Sequence, residues 1–287
     1  MNKFYIITNH QKDEELIITK MIQDYLLKNG KECIIHEKEE KTLKNYMFTN
    51  ADLIPDDVDC LMVLGGDGTL IQAARDVADK KIPLVGVNLG TLGYLTEIEK
   101  QNIFPALDKL MKDDYFIEQR LMLKGELFKN KKSFIKNRAL NDIVISRNGS
   151  LRIIDYDVYV NGEYLVSYSA DGIIISTPTG STGYNLSAGG PIVDPKADIL
   201  TVTPICSHTL NSNSIVLSAS DEVIVKIGPG RKSEFQSVVA TFDGDTNIKM
   251  ETGDYIKITK STKKTQIIKL SKLSFVEALR NKIGDYR

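Results

Sequence analysis

CLMVLGGDGTL, Cys60–Leu70, is the most informative stretch of the chain. Its first five residues, Cys60–Leu64, are apolar without a break, as a strand buried on both faces of a parallel sheet requires. Gly65, Gly66, Asp67, Gly68 and Thr69 then lead into a helical pattern predicted from Leu70 to Lys80. A strand passing through a glycine turn into a helix is the unit of an open α/β sheet, and ligands bind such sheets at the carboxyl ends of the strands. Glycine tolerates positive φ and lets a phosphate come close. A helix N-terminus adds free N–H groups and a positive dipole end. Asp67 is the sharp feature, because a carboxylate repels phosphate unless a metal or a substrate hydroxyl stands between them. A hydroxyl that attacks phosphorus is such a partner. The pattern is neither a Walker A loop nor G-x-G-x-x-G. A bare Asp-Gly is a turn that caps a helix; GGDGT behind an apolar strand points to a phosphate site, with the reaction open.

Around this stretch the first half of the chain alternates. Strands are predicted at Lys3–Thr8, Glu32–His36 and Pro83–Asn88, and helices at Asp13–Lys28 and Gln101–Lys112. Leu16, Ile17, Ile18, Met21, Ile22, Tyr25 and Leu26 keep helical spacing in the first helix, and Asn29-Gly30 ends it. Residues 37–59 are polar and read as loop. Such alternation implies a Rossmann-like α/β domain, placed at 1–116.

Beyond residue 116 strand patterns dominate: Leu121–Phe128, Asp142–Ser146, Ile153–Val160, Tyr164–Ser169, Gly172–Ser176, Asp221–Ile227, Val238–Phe242 and Tyr255–Thr259. Asn161-Gly162 and Asp243-Gly244 are hairpin turn signals. A mainly antiparallel β domain is expected over 117–270. Ser274–Ile283 is helical again, and a terminal helix at 271–287 is expected to return to the first domain. Asp155/Asp157 and Asp243/Asp245 read as a solvated strand face and a solvated turn.

The chain has 287 residues, 37 Lys plus Arg and 38 Asp plus Glu, for a net charge of -1. That balance argues against a nucleic-acid binder. Cys33, Cys60 and Cys206 are far apart and form no C-x-x-C pair, which gives neither a zinc knuckle nor a disulfide framework. With no signal-peptide pattern and no apolar span, a cytoplasmic protein off the membrane is expected. His10, His36 and His208 are scattered and suggest no metal site. The 49 residues Gly172–Ser220 hold three charges, Asp194, Lys196 and Asp198, against about 13 at the chain average. Such a stretch is sheltered by its own fold, by a ligand or by another subunit.

Inside it, DGIIISTPTGSTGYNLSAGGP (Asp171–Pro191) carries hydroxyls and open backbone that suit a nucleotide's sugar or phosphates. A surface loop of turn-forming residues is the bland alternative. Together with GGDGT, with GVNLGTLGYL (Gly86–Leu95) and with Asn141-Asp142, it resembles the NAD kinase family, in order and spacing over nearly the whole chain. GGDGT alone is shared with phosphofructokinases and with diacylglycerol and sphingosine kinases; the Asp171–Pro191 block is the more specific.

The resemblance implies transfer of phosphate from ATP, or in some members polyphosphate, to the 2′-hydroxyl of the adenosine ribose of NAD, giving NADP. A divalent cation, Mg2+, is implied, with ligands undefined. Asp67 is then the proton acceptor beside Gly68, and Gly65, Gly66, Gly68 and Thr69 form the phosphate-donor loop. Asn141 and Asp142 meet the adenosine portion, and Asp171 the nicotinamide riboside, from across a subunit contact in some members. Thr179, Thr182, Gly183, Tyr184, Asn185, Leu186 and Ser187 line the adenine and ribose pocket. Arg152 and Ser212, which flank these segments, complete the NAD-binding set. A homotetramer or homodimer is implied as well. Departures from the family pattern are Ser169 for an arginine, Asp243-Gly244-Asp245 for D-G-Q, and Gly183 for alanine. A lipid or sugar kinase, or a non-catalytic dinucleotide sensor, are the alternatives.

Overall fold

The computed structural model describes residues 1–36, 49–90, 93–149, 153–208, 213–230, 233–271 and 274–284. The chain divides into two units, Met1–Gln119 with Thr265–Arg287, and Arg120–Lys264.

In the first unit, β1 (Lys3–Thr8), β2 (Glu32–Ile35), β3 (Cys60–Gly65) and β4 (Leu84–Asn88) form a parallel sheet in the order β2-β1-β3-β4. A short strand, β5 (Ile98–Glu99), pairs with β4, and so does Ile267 near the end of a long strand. Every residue of β3 is buried, as its unbroken apolar run demands. Helices α1 (Ile17–Lys28), α2 (Asp67–Asp76) and α3 (Ile103–Met111) complete the layers. Ile22 and Leu26 of α1 and Leu107 and Leu110 of α3 pack with Phe4, Ile6, Met62, Leu64 and Val85 in one apolar core.

Two helix starts differ from the sequence expectation. α1 begins at Ile17, not Asp13, because the Asp13 carboxylate turns back to accept the Thr19 N–H (2.9 Å), the Thr19 hydroxyl (2.7 Å) and the Ile18 N–H (3.2 Å). It caps the helix instead of joining it. α2 begins at Asp67, three residues early, so the glycine loop is itself the first turn of the helix.

The second unit is antiparallel. β8 (Asp142–Arg147), β11 (Gly172–Ser176), β12 (Ile199–Ile205), β13 (Ile215–Ser218), β15 (Ser237–Phe242) and β16 (Thr246–Glu251) lie in the order β13-β12-β11-β8-β15-β16. β9 (Ile154–Val160), β10 (Glu163–Ala170), β14 (Val223–Ile227) and the first part of β17 (Tyr255–Lys269) pair as β10-β9-β14-β17, and β6 (Phe116–Lys129) forms a hairpin with β7 (Lys132–Ala139). Asn161 (φ 51°) and Gly162 (φ 84°) turn β9 into β10, and Asp243 (φ 52°) and Gly244 (φ 76°) turn β15 into β16, both with the paired positive φ of a type I′ turn. Ile143, Ile145, Ile173, Ile175, Val225 and Phe242 are in its core. Between β11 and β12 lie a 3₁₀ turn, Thr179–Thr182, and the single-turn helix α4 (Tyr184–Ser187). The terminal helix α5 (Phe275–Gly284) belongs to the first unit and opens with a capping box between Ser274 and Glu277. Among the described residues no helix is long and apolar enough to cross a membrane.

Candidate active site

The Asp67 carboxylate is fixed by the segment that follows β4. Its Oδ1 accepts the N–H groups of Leu95 (3.1 Å) and Thr96 (3.0 Å) and the Thr96 hydroxyl (3.1 Å). Its Oδ2 accepts the Tyr94 N–H at 2.6 Å. The approach is so close that a Cβ on Gly93 would stand 1.8 Å from Oδ1. Oδ1 therefore has three donors and Oδ2 one, which leaves Oδ2 as the oxygen with room for another hydroxyl.

Around Asp67 the loop presents groups that can receive an anion. Leu70 is bonded back to the Gly66 carbonyl (3.1 Å), and the N–H groups ahead of it in α2 have no intrahelical acceptor. Thr69 turns its hydroxyl over Gly65, where a Cβ would lie 2.3 Å away, and accepts the Asn9 side-chain amide at 3.2 Å. Gly65 is thus demanded by packing. Lys12 reaches over the loop, its Nζ 3.2 Å from the place a Cβ would take on Gly66 and equally near that on Gly90. None of the described residues forms an ion pair with it.

In the second unit, Asn141 and Asp142 enter β8 beside the hydroxyl-rich loop. The Asp243 carboxylate accepts three consecutive backbone N–H groups, of Leu140 (2.9 Å), Asn141 (2.8 Å) and Asp142 (3.2 Å). Asp243 is therefore no solvated turn residue. The Asn141 carbonyl accepts the Thr177 N–H at 2.8 Å, and a Cβ on Gly180 would stand 2.3 Å from that oxygen. A Cβ on Gly183 would lie 3.5 Å from the Asn141 side-chain nitrogen. Two buried oxygens here have no partner, Asn141 Oδ1 and Thr179 Oγ1. Buried polar atoms left unsatisfied are costly and ask for a ligand or water. Burial, with the Asp243 charge adding to it, pushes the Asp142 carboxyl up to about 7.

The structure thus gathers Asn141, Asp142, Thr179, Gly180 and Gly183. Asn185 lies apart from solvent: it donates to the Ser181 and Pro191 carbonyls and accepts the Thr201 and Thr203 hydroxyls, so it holds the loop from within. Thr182 is half-buried, while Tyr184, Leu186 and Ser187 are exposed. Asp171 stands at the other end of β11, about 15 Å along the strand from the Asn141 end, and pairs with Arg147 at 3.0 Å. Arg152 and Ser212 lie outside the described residues. Among the described residues no three His, Cys, Asp or Glu side chains converge as a metal-ligand set. Lys12 and Arg147 carry no signal in the sequence; for Thr96 the only hint is the glycine ahead of it in GTLGYLT.

Two family models match: the ATP-NAD kinase N-terminal domain over residues 4–115 and the ATP-NAD kinase C-terminal domain over 140–270. The NAD kinase of Lachnospira eligens is 46% identical over 293 residues, which covers 99% of this chain and all of the relative. Yeast NADH kinase, solved with NADH, superposes with a TM-score of 0.83 at 24% identity, over 99% of this chain and 88% of the other. The NAD kinase of Archaeoglobus fulgidus, solved with ATP, gives 0.75 at 23% identity, over 98% and 97%. At that identity the two structures speak for the fold, and the sequence matches for the family: the chain belongs to the ATP-NAD kinases.

Proposed function

We propose that this chain makes NADP by moving the terminal phosphoryl group of ATP onto the 2′-hydroxyl of the adenosine ribose of NAD. The observation that carries the chemistry is the Asp67 carboxylate, held at the start of α2 with one oxygen still open. As the ribose oxygen bonds to phosphorus, the bond from phosphorus to the leaving oxygen breaks, ADP departs with the electron pair, and the hydroxyl proton passes to Asp67 Oδ2. Phosphoryl transfer rests mainly on positioning and charge stabilisation, with general-base help worth about 10²–10⁴-fold. Gly65, Gly66, Gly68 and Thr69 with the first N–H groups of α2 receive the donor phosphates, and the Lys12 ammonium offsets their charge. Mg2+ is proposed to enter with the donor, since phosphates and waters serve it as ligands; among the described residues no three His, Cys, Asp or Glu side chains converge.

Asn141, Asp142, Thr179, Thr182, Gly183 and Tyr184 bind the adenosine portion. The unpartnered Asn141 Oδ1 and Thr179 Oγ1 support this. Asp171 meets the nicotinamide riboside. Leu186, Ser187, Arg152 and Ser212 complete the set in the family pattern, and Asn185 serves by shaping the loop.

Purified protein incubated with NAD, ATP and Mg2+ is expected to form NADP and ADP in equal amounts. Polyphosphate in place of ATP, and NADH in place of NAD, define donor and acceptor range. ADP release without NADP would rule the proposal out.

Self-association into a dimer or tetramer is proposed as well. The chain's own fold shelters much of the charge-poor stretch, since Ile173, Ile174, Ile175, Leu200 and Val202 are fully buried. What supports a further contact is the exposure of Tyr184, Leu186 and, on the edge strand β13, Val216. An active monomer in sedimentation at micromolar concentration would exclude it. A cytoplasmic home is proposed on the three free thiols Cys33, Cys60 and Cys206, which suit a reducing compartment.

A further inference from the structure

Glu97 follows directly on the three residues whose N–H groups hold Asp67. Its own N–H is bonded to the Gly86 carbonyl in β4 at 3.1 Å. Its carboxylate is only 10% exposed and is the focus of four contacts from the segment at the end of β17. Lys269 Nζ donates to Oε2 at 2.7 Å. Oε1 accepts the Ser271 hydroxyl (2.6 Å), the Ser271 N–H (3.0 Å) and the Leu270 N–H (3.3 Å). Lys109 of α3 in turn donates to the Leu270 carbonyl at 3.1 Å. All these residues belong to the first unit.

Burying a carboxylate is costly unless it is paired and fully bonded. Burial raises the Glu97 carboxyl, but Lys269 and Ser271 outweigh it and hold the group below the ordinary carboxylate range. A well-satisfied ion pair of this kind adds little net stability over apolar packing; its geometry, however, is sharply defined. Here that geometry bears on one short run of chain. Leu95 and Thr96 are buried, with Thr96 against Gly86 of β4, while Gly93, Tyr94 and Thr96 wall a cavity of about 520 Å³ together with Glu97, Lys269 and Ser271, so one side of the run borders open space.

We propose that Glu97 is a positioning residue for Asp67: its ionic latch onto Lys269 and Ser271 holds the Tyr94–Thr96 amides where they orient the carboxylate. Asp67 Oδ1 takes three of its donors from residues 95 and 96, the nearest neighbours of Glu97 in the chain. Freed from the latch, the run can move into the cavity and the carboxylate turns with it. The inference rests on Asp67 being the proton acceptor.

The test compares Glu97→Ala, Glu97→Gln and Lys269→Met in NADP formation, each alone and combined with Asp67→Asn. Amide hydrogen exchange of Tyr94–Thr96 is measured on every variant. Glu97→Ala is expected to lower kcat about ten- to a hundredfold, as small misplacements of reacting groups do, with KM for NAD and ATP held within about twofold. Glu97→Gln keeps an oxygen for Ser271 and is expected to lose less than Glu97→Ala. In the Asp67→Asn background Glu97→Ala is expected to cost nothing further, because the group it positions is gone. Exchange of the three amides is expected to quicken in Glu97→Ala and Lys269→Met beyond any change in the buried strand β3, which serves as the internal control because Lys269→Met also melts lower once the buried Glu97 charge has lost its partner. Equal losses in both backgrounds, or wild-type kcat with unchanged exchange, overturns the proposal. Wild-type protein without NADP formation refutes the kinase reading instead, and unchanged exchange still decides against the latch.

Discussion

In the proposed reaction Asp67 takes the proton and Lys12 faces the donor phosphates, and single substitutions separate the two. Asp67→Asn puts an amide NH₂ where Oδ2 accepts the Tyr94 N–H, so donor faces donor, and it removes the base. Turnover is expected to fall about 100-fold or more, with NAD still bound in a direct titration; near-normal turnover would release Asp67 from its role. Lys12→Met keeps most of the length of the side chain and removes its charge. A charged contact is worth about 1.5–3 kcal/mol, so KM for ATP is expected to rise about tenfold or more while KM for NAD stays put. If KM for ATP does not move, the ammonium is a bystander. Asp67 was legible because strand, glycines and carboxylate are contiguous. Lys12 and Glu97 were not, because only folding brings Lys12 over Gly66 and Gly90, and only the end of β17 reveals what Glu97 is for.

At the scale of elements, two glycines carry the design. Gly93 leaves no space for a side chain beside Asp67, so Gly93→Ala is expected to break the amide cradle and abolish turnover in a protein that still folds, which circular dichroism with an NADP assay will show. Gly183 is looser, with a Cβ meeting the Gly180 carbonyl at 3.3 Å and the Asn141 amide at 3.5 Å. Gly183→Leu is expected to raise KM for NAD sharply and move KM for ATP less. An unchanged KM for NAD in a well-folded variant would separate this loop from the acceptor. The strong patterns, β3, β4, β8 and both hairpin turns, were readable because apolar runs and Asn-Gly or Asp-Gly turns are local signals. β12 was hidden because ILTVTPI mixes threonines and a proline into a strand buried from Leu200 onward, and β7 because half of KSFIKNRA is exposed. The early start of α2 was missed because glycine and aspartate mark turns as readily as helix starts.

For the whole molecule, Asp142 couples stability to pH. Its carboxyl titrates near 7 when folded and near 3.8 in an ordinary setting, so between those values the native state holds a proton that the unfolded chain has lost. Stability from this group is complete below about 4, declines as pH rises through 7, and is level above. The melting temperature of the wild type is therefore expected to fall across that window more than that of Asp142→Asn, which has no proton to lose. Parallel curves for the two proteins would show that Asp142 ionises normally. The same window governs whether Asp142 meets a ligand as a donor or as an anion, so KM for NAD is expected to change across pH 6–8 in the wild type only, pH 7 being the midpoint.

The Asp243 carboxylate grips residues 140–142 across about a hundred positions of sequence, from the turn between β15 and β16, where β15 pairs with β8. Contacts of such separation are slow to close, whereas the β9–β10 hairpin, with two residues in its turn, needs no long search. The Asn141 segment, proposed to bind the nucleotide, is therefore expected to form late in refolding. After dilution from denaturant, far-ultraviolet ellipticity will recover ahead of NAD binding, and the lag between the two will lengthen in Asp243→Ala. For a cell making this protein, the interval in which the chain is folded in outline and still empty-handed is then expected to depend on the single turn at Asp243-Gly244.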